Sequence, residues 1–237
     1  QSFQQTGVSA SLATLSALTV FSLVLPNYTV SEAGPVYSTS QLAFVAIVSV
    51  ILYGTFVGVQ TFRHRDYFLP PKEKVANVDE HAERPTSRAA GLSFALLLAC
   101  LVAVVLLAKQ LAVPVEQMVA EWGAPRALVG VIIAGLVLLP ESVAAVRATL
   151  ANRLQTSLNL ALGSALATIG LTIPAVAALS IAMAMPIALG LDSKSIVLLM
   201  LTLLVSAQAL ATGKTTILQG VVHLVIFGVY LFTTIIP

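Results

Sequence analysis

Ala127-Leu-Val-Gly-Val-Ile-Ile-Ala-Gly-Leu-Val-Leu-Leu-Pro-Glu-Ser-Val-Ala-Ala-Val146 decides the class of this protein. An apolar helix of about 20 residues crosses a hydrocarbon core of roughly 30 Å. The stretch has that length and carries a single charge, Glu141. Six further apolar runs of similar length lie around it, giving seven expected spans near 9–26, 41–62, 89–108, 127–150, 156–182, 195–213 and 216–236. The whole chain agrees: 58% of its 237 residues are apolar and 9% charged, against about 45–50% and about 25% in soluble domains. The fold class read from this is all-α, a polytopic membrane protein.

Between the second and third runs lies the main polar segment, 63–88, with six Lys/Arg, five Asp/Glu and Pro70, Pro71 and Pro85. Its His64 and His81 read as part of a solvated charged loop. The segment divides the chain into 1–62, two helices that end a first half; 63–88, a cytoplasmic loop; and 89–237, five helices. Cytoplasmic loops carry the Lys/Arg excess. With 63–88 inside, nine basic residues lie on that side and Lys109, Arg126 and Lys194 on the other, so the C-terminus is expected outside the cytoplasm. The uncharged stretch 154–191, with Pro174 and Pro186, reads equally as one span with a loop or as a tight helical pair. The charge count is the same either way.

Net charge is +2, with no basic stripe, which argues against a nucleic-acid partner; membrane lipid is the expected surrounding. The single cysteine, Cys100, cannot form an internal disulfide and reads as a small buried hydrophobe. The chain starts with Gln1 and has no Lys or Arg before Arg63, so it lacks the charged start of a signal peptide. It is expected to be the C-terminal part of a longer protein.

An ionisable residue inside a span is a functional-site hypothesis by default, because its burial in lipid is costly. Glu141 lies about 21 Å along the helix from Ala127. Pro140, just before it, has no N–H and is expected to open the helix there and free carbonyl oxygens. On the next span Ser157, Ala161, Ser164, Ala165, Thr168 and Thr172 recur every three or four residues, gathering hydroxyls and small side chains on one face. Coordination arithmetic then leaves a gap. Ca²⁺ takes 6–8 oxygens, Glu141 offers two, and no other Asp or Glu lies within the seven expected spans. A second acid is expected from upstream sequence or a second subunit, a homo-oligomer included. Thr215, Gln219 and His223 on the last span, and Thr202, Ser206 and Gln208 on the one before, read first as helix-packing hydrogen bonds, with His223 able to relay protons. Tyr53 and Trp122 read as packing or interfacial residues.

Gly135-Leu-Val-Leu-Leu-Pro-Glu-Ser142, followed by Ala161-Leu-Gly-Ser-Ala-Leu-Ala-Thr-Ile-Gly-Leu-Thr-Ile-Pro174, resembles the second alpha-repeat of the calcium/cation antiporter superfamily. The calcium/proton exchanger family is the nearest match. Arg63-His-Arg-Asp-Tyr-Phe-Leu-Pro70 and Leu25-Pro-Asn-Tyr-Thr29 are similar to the bacterial branch of calcium/proton and sodium-potassium/proton antiporters. The resemblance implies two inverted repeats, each giving one acid to a central ion site, with only the second repeat and the end of the first half in this chain. It implies that Glu141 is the acid of the second repeat and that Gly163, Ser164 and Ala165 face the ion; the residues themselves add Pro140 to this cation- and proton-binding set, with Ser142, Thr168, Ser157, Asn159 and His223 as secondary candidates. Two positions depart from the pattern: Ser142 stands where relatives often have His, and Ala167 where they often have Gln.

The expected activity is export of Ca²⁺, or of Na⁺ or K⁺, across a bacterial inner membrane in exchange for H⁺, without a cofactor and without enzymatic chemistry. One carboxylate cannot hold a proton and a cation together, so the two exclude each other, and alternate exposure of the site makes that exclusion an exchange. The alternatives from other classes are an assembly subunit of a membrane complex and an intramembrane hydrolase pairing Ser164 with His223.

Overall fold

The computed structural model describes residues 3–69 and 86–236, so most of the charged segment, His81 included, lies outside the described residues. Among these residues the chain forms seven α-helices: α1 (Gln5–Thr19), α2 (Thr39–Gly58), α3 (Ser87–Glu121), α4 (Ala127–Leu150), α5 (Leu154–Met183), α6 (Ser193–Leu210) and α7 (Ile217–Ile235). All seven, α1 and α2 with the turns that continue them, are long and apolar enough to cross a membrane. Strands are absent among the described residues, apart from one isolated bridge between Val36 and Ala188. In lipid a backbone must satisfy its own N–H and C=O groups, and a helix does so within one segment.

The apolar runs mark the lipid-crossing part of each helix, and the helices run past them where the sequence permits. α3 is the largest departure. Its expected span ends at 108, yet the helix continues through Lys109, Pro114 and Glu116 to Glu121. Thirty-five residues make about 52 Å of helix, far more than the hydrocarbon needs, and Glu116 stands on a continuous helix. Trp122 closes it, 66% exposed. Cys100 corrects another expectation, because it is exposed. None of the apolar window of α3 is buried by the rest of the chain; in lipid, an apolar neighbourhood does not imply a protein interior.

Pro140 also departs from expectation. α4 runs unbroken from Ala127 to Leu150 with Pro140 inside it, and Pro114 and Pro174 sit inside α3 and α5 in the same way. Proline's fixed φ is helical, so what it removes is one N–H, here the donor for the carbonyl of Leu136. The ambiguity over 154–191 resolves as one 30-residue helix, α5, followed by a link. Ala184 ends the helix in the left-handed region at φ 51°, with Met185 N–H donating to Ser180 O at 3.0 Å and Ser180 Oγ donating to Met185 O at 2.6 Å. The α4–α5 turn is Ala151–Arg153, with Asn152 at φ 58°, a conformation that asparagine tolerates well.

Capping boxes start two helices. Ser38 and Gln41 exchange side-chain and backbone bonds ahead of α2, and Thr216 and Gln219 do the same ahead of α7. Gln219 is thus a capping residue. α1 and α2 end alike: each passes through a π turn, Val20–Val24 and Val59–Arg63, into a 3-10 turn, Leu25–Tyr28 and Arg65–Phe68.

The helices fall into two compact units. The larger holds α1, α2, the last residues of α4, α5, α6 and most of α7; the smaller holds α3 and α4 up to Val143. In the larger unit α5 is the central helix, packed on α2 and α1. Leu154, Leu158 and Leu162 meet Val8 and Leu12 of α1 and Leu210 of α6. Leu166 meets Leu18, Phe56 and Phe68, and Ile173 and Ala177 meet Tyr37, Leu42 and Val45. Gly170 permits a close approach of α5 and α2, since a Cβ there would lie 2.8 Å from that of Tyr53. In the smaller unit Val115 and Val119 of α3 pack on Val129 of α4.

Candidate functional site

The residues expected to hold a cation lie on α4 and α5. In the smaller unit Glu141 is nine residues before the end of α4, about 14 Å along the axis. It is exposed, as are Pro140 and Ser142, among the exposed apolar side chains Leu138, Leu139 and Val143. A carboxylate at that depth on an apolar surface is the costly feature of this helix. Pro140 adds polarity one turn back, where the Leu136 carbonyl loses its helical donor.

In the larger unit Ser164 lies ten residues after the start of α5, about 15 Å along its axis, half-buried with Gly163 and Ala165. Leu154, Leu158, Leu162 and Leu166 of α5 turn to α1, α2 and α6, whereas Ala161, Thr168 and Thr172 stay exposed. The stripe of small and hydroxyl residues is therefore real as a face but not uniform in surroundings. Ser157 is buried near the start of the helix, about 16 Å along the axis from exposed Thr168.

Asn159 is placed in a structural clamp. Its amide N–H donates to Phe68 O at 2.6 Å, and its oxygen accepts from Gln155 Nε2 at 3.0 Å. Gln155, 2% exposed, accepts the Gln4 N–H at 2.6 Å. This pair of amides was legible only as an i, i+4 spacing on one helix face.

His223 is joined to Ser206 of α6, Oγ to Nε2 at 3.0 Å, and through Nδ1 to Gln219 O at 2.8 Å. Both ring nitrogens are engaged, so the Ser164–His223 pair that a hydrolase would need is not formed. The interhelical bond expected of the α6 and α7 polar residues is this one. Among the described residues no three or more His, Cys, Asp or Glu side chains gather into a metal-binding group.

Comparison with known proteins supplies what geometry alone does not. A family profile for sodium/calcium exchanger proteins matches residues 92–236, which include α4 and α5. The chain is 49% identical over all 237 of its residues to a Sinorhizobium fredii protein, y4hA, whose name places it only provisionally among ionic transporters. It is 31% identical over 228 residues, 96% of its length, to the sodium-potassium/proton antiporter ChaA of Escherichia coli. It spans 64% and 62% of the lengths of these two relatives. No solved structure matches it. The family is one of membrane transporters rather than enzymes, and the seven apolar helices agree with an integral membrane protein. The chain belongs to the sodium/calcium exchanger family, within the calcium/cation antiporter superfamily.

Proposed function

We propose that this chain is the part of a cation/proton antiporter that carries the second-repeat half of the ion site, and that the whole protein exports Ca²⁺, or Na⁺ or K⁺, from the cytoplasm in exchange for H⁺. The observation that carries the reading is Glu141, a carboxylate well inside an unbroken membrane helix and inside the region matched by the exchanger family. The name of the relative ChaA supports proton coupling and monovalent cations; the choice of Ca²⁺ rests on the resemblance of the α4 and α5 motifs.

In this reading Glu141 is the exchanging group. It holds either a proton or a cation, never both, so each displaces the other. Ser164 Oγ adds one neutral oxygen, the Leu136 carbonyl freed by Pro140 another, and Gly163 and Ala165 keep the α5 surface low enough for an ion to approach. Glu141 and Ser164 both fall within the region matched by the exchanger family. Ca²⁺ needs 6–8 oxygens, so a further acid comes from the remaining third of a protein the length of its relatives, or from a second copy. Rocking of one helix group against another would expose the site to each side in turn. The protein would sit in a bacterial inner membrane with its C-terminus outside the cytoplasm, and it needs no cofactor.

Everted vesicles holding a proton gradient test this. Adding Ca²⁺, Na⁺ or K⁺ to vesicles with the full-length protein should dissipate the gradient. Glu141→Gln should abolish the effect while the protein still inserts. Undiminished exchange by that variant overturns the assignment.

A further inference from the structure

His223 stands in the second turn of α7, half-buried, in contact with groups that suit more than packing. Nδ1 lies 2.8 Å from the Gln219 carbonyl. A carbonyl only accepts, so Nδ1 carries the hydrogen in the neutral ring and Nε2 keeps its lone pair. Ser206 Oγ, 3.0 Å from Nε2, then donates to it. When Nε2 takes a proton, the same hydroxyl turns and accepts. Serine can play both parts, so the bond between α6 and α7 survives in either charge state, at the cost of rotating one hydroxyl hydrogen.

The imidazole faces a cavity of about 360 Å³ between α6 and α7, whose wall also carries Ser195, Thr202 and Tyr230. Ser195, Thr202 and Ser206 fall at i, i+7 and i+11 on α6, and His223 and Tyr230 at i and i+7 on α7, so the polar groups of both helices follow one seam. Among the described residues no carboxylate lines the cavity. The other titratable groups of these elements are Tyr230 in the same wall, Asp192 and Lys194 at the opposite end of α6, and Lys214 in the turn to α7; α1, which packs on α6, has none. A charge on His223 is thus met by two neutral acceptors, the Gln219 carbonyl and the Ser206 hydroxyl.

We propose that His223 is a proton-binding site in its own right, separate from Glu141, and that its charge state sets which partner donates in the bond between α6 and α7. Histidine is the side chain that changes charge near neutral pH, and here it bridges two helices of the matched region. The consequence for transport, a contribution of His223 to the pH dependence of exchange, rests on the antiport reading; the proton site itself does not.

The test is ¹⁵N-histidine spectroscopy of the full-length protein in lipid nanodiscs, with the His223 signals identified as those missing from His223→Gln. The neutral ring should be the Nδ1–H form, and lowering the pH should convert it to the form protonated at both nitrogens. Ser206→Ala, which keeps the imidazole, should move the midpoint of that change by about half a unit or more. An Nε2–H neutral ring, a single unchanging state at every pH the protein tolerates, or a midpoint indifferent to Ser206→Ala overturns the proposal. In vesicles, His223→Gln should displace the pH of half-maximal exchange by about half a unit. An undisplaced profile with exchange intact overturns the link to transport. Loss of the antiport reading would show in Glu141→Gln and leave the spectroscopic result standing.

Discussion

The side-chain amide of Asn159 donates to the backbone carbonyl of Phe68 at 2.6 Å, joining positions 91 residues apart. Through Gln155 the same relay reaches the Gln4 N–H, so the start of α1, the 3-10 turn after α2 and the first turns of α5 are held at one point. The Phe68 ring adds an edge-on contact with Phe56, centroids 5.9 Å apart. Phe68 is thereby anchored on α5 about one helical turn before Gly163-Ser164-Ala165.

Asn159→Leu removes both of its bonds while keeping the side chain's size. It leaves the Phe68 carbonyl and the Gln155 amide short of a partner, a cost of about 1–3 kcal/mol. Thermal unfolding in detergent should show a lowered midpoint. An unchanged midpoint would mean that the clamp contributes nothing to stability.

Gly170 and Tyr53 make a tight contact between α5 and α2. Gly170→Ala places a methyl group 2.8 Å from the Tyr53 Cβ, an atom too close to the α2 backbone to swing away, and overpacking of this kind costs roughly 1–3 kcal/mol. The double variant Gly170→Ala, Tyr53→Ala should still meet resistance at that Cβ yet recover part of the loss through the missing ring. Equal instability of single and double variants would place the strain elsewhere.

Tyr37, 5% exposed, donates its hydroxyl to Phe21 O at 2.5 Å in the segment before α2. Burial pushes the phenol up from 10.0 to about 12. The unfolded chain thus gives up this proton at lower pH than the folded one. The contribution is complete below about pH 10 and is lost as pH rises to about 12. Stability measured by thermal unfolding should fall across that interval, and Tyr37→Phe should flatten the fall. An equally steep decline in the Phe variant would assign it to other groups.

Ser164→Ala tests the division of labour in the proposed ion site. A neutral hydroxyl supplies one oxygen and no charge, worth about 1 kcal/mol, so the half-saturating cation concentration should rise by about fivefold while the maximal exchange rate persists. Loss as complete as that expected of Glu141→Gln would show that Ser164 has a larger part than affinity.

The sequence by itself determined the class and the count of helices. Lipid offers no hydrogen bonds, so a chain with seven apolar runs of crossing length has little choice but seven helices, and 127–150 appears in the structure with the expected bounds. It also singled out Glu141, because one acid in twenty apolar residues needs no partner to be conspicuous. Where polarity and lipid stop deciding, the sequence was less informative. The run of α3 to Glu121, the unbroken passage of α4 through Pro140 and the single helix over 154–183 depend on backbone hydrogen bonds that a hydropathy pattern does not count. Cys100 was misread because apolar surroundings in a membrane are as often lipid as protein. The Asn159–Phe68 clamp and the Gly170–Tyr53 contact were decided only by tertiary structure. Each joins segments far apart in the chain, and nothing in the local spacing of either partner states which distant group it will meet.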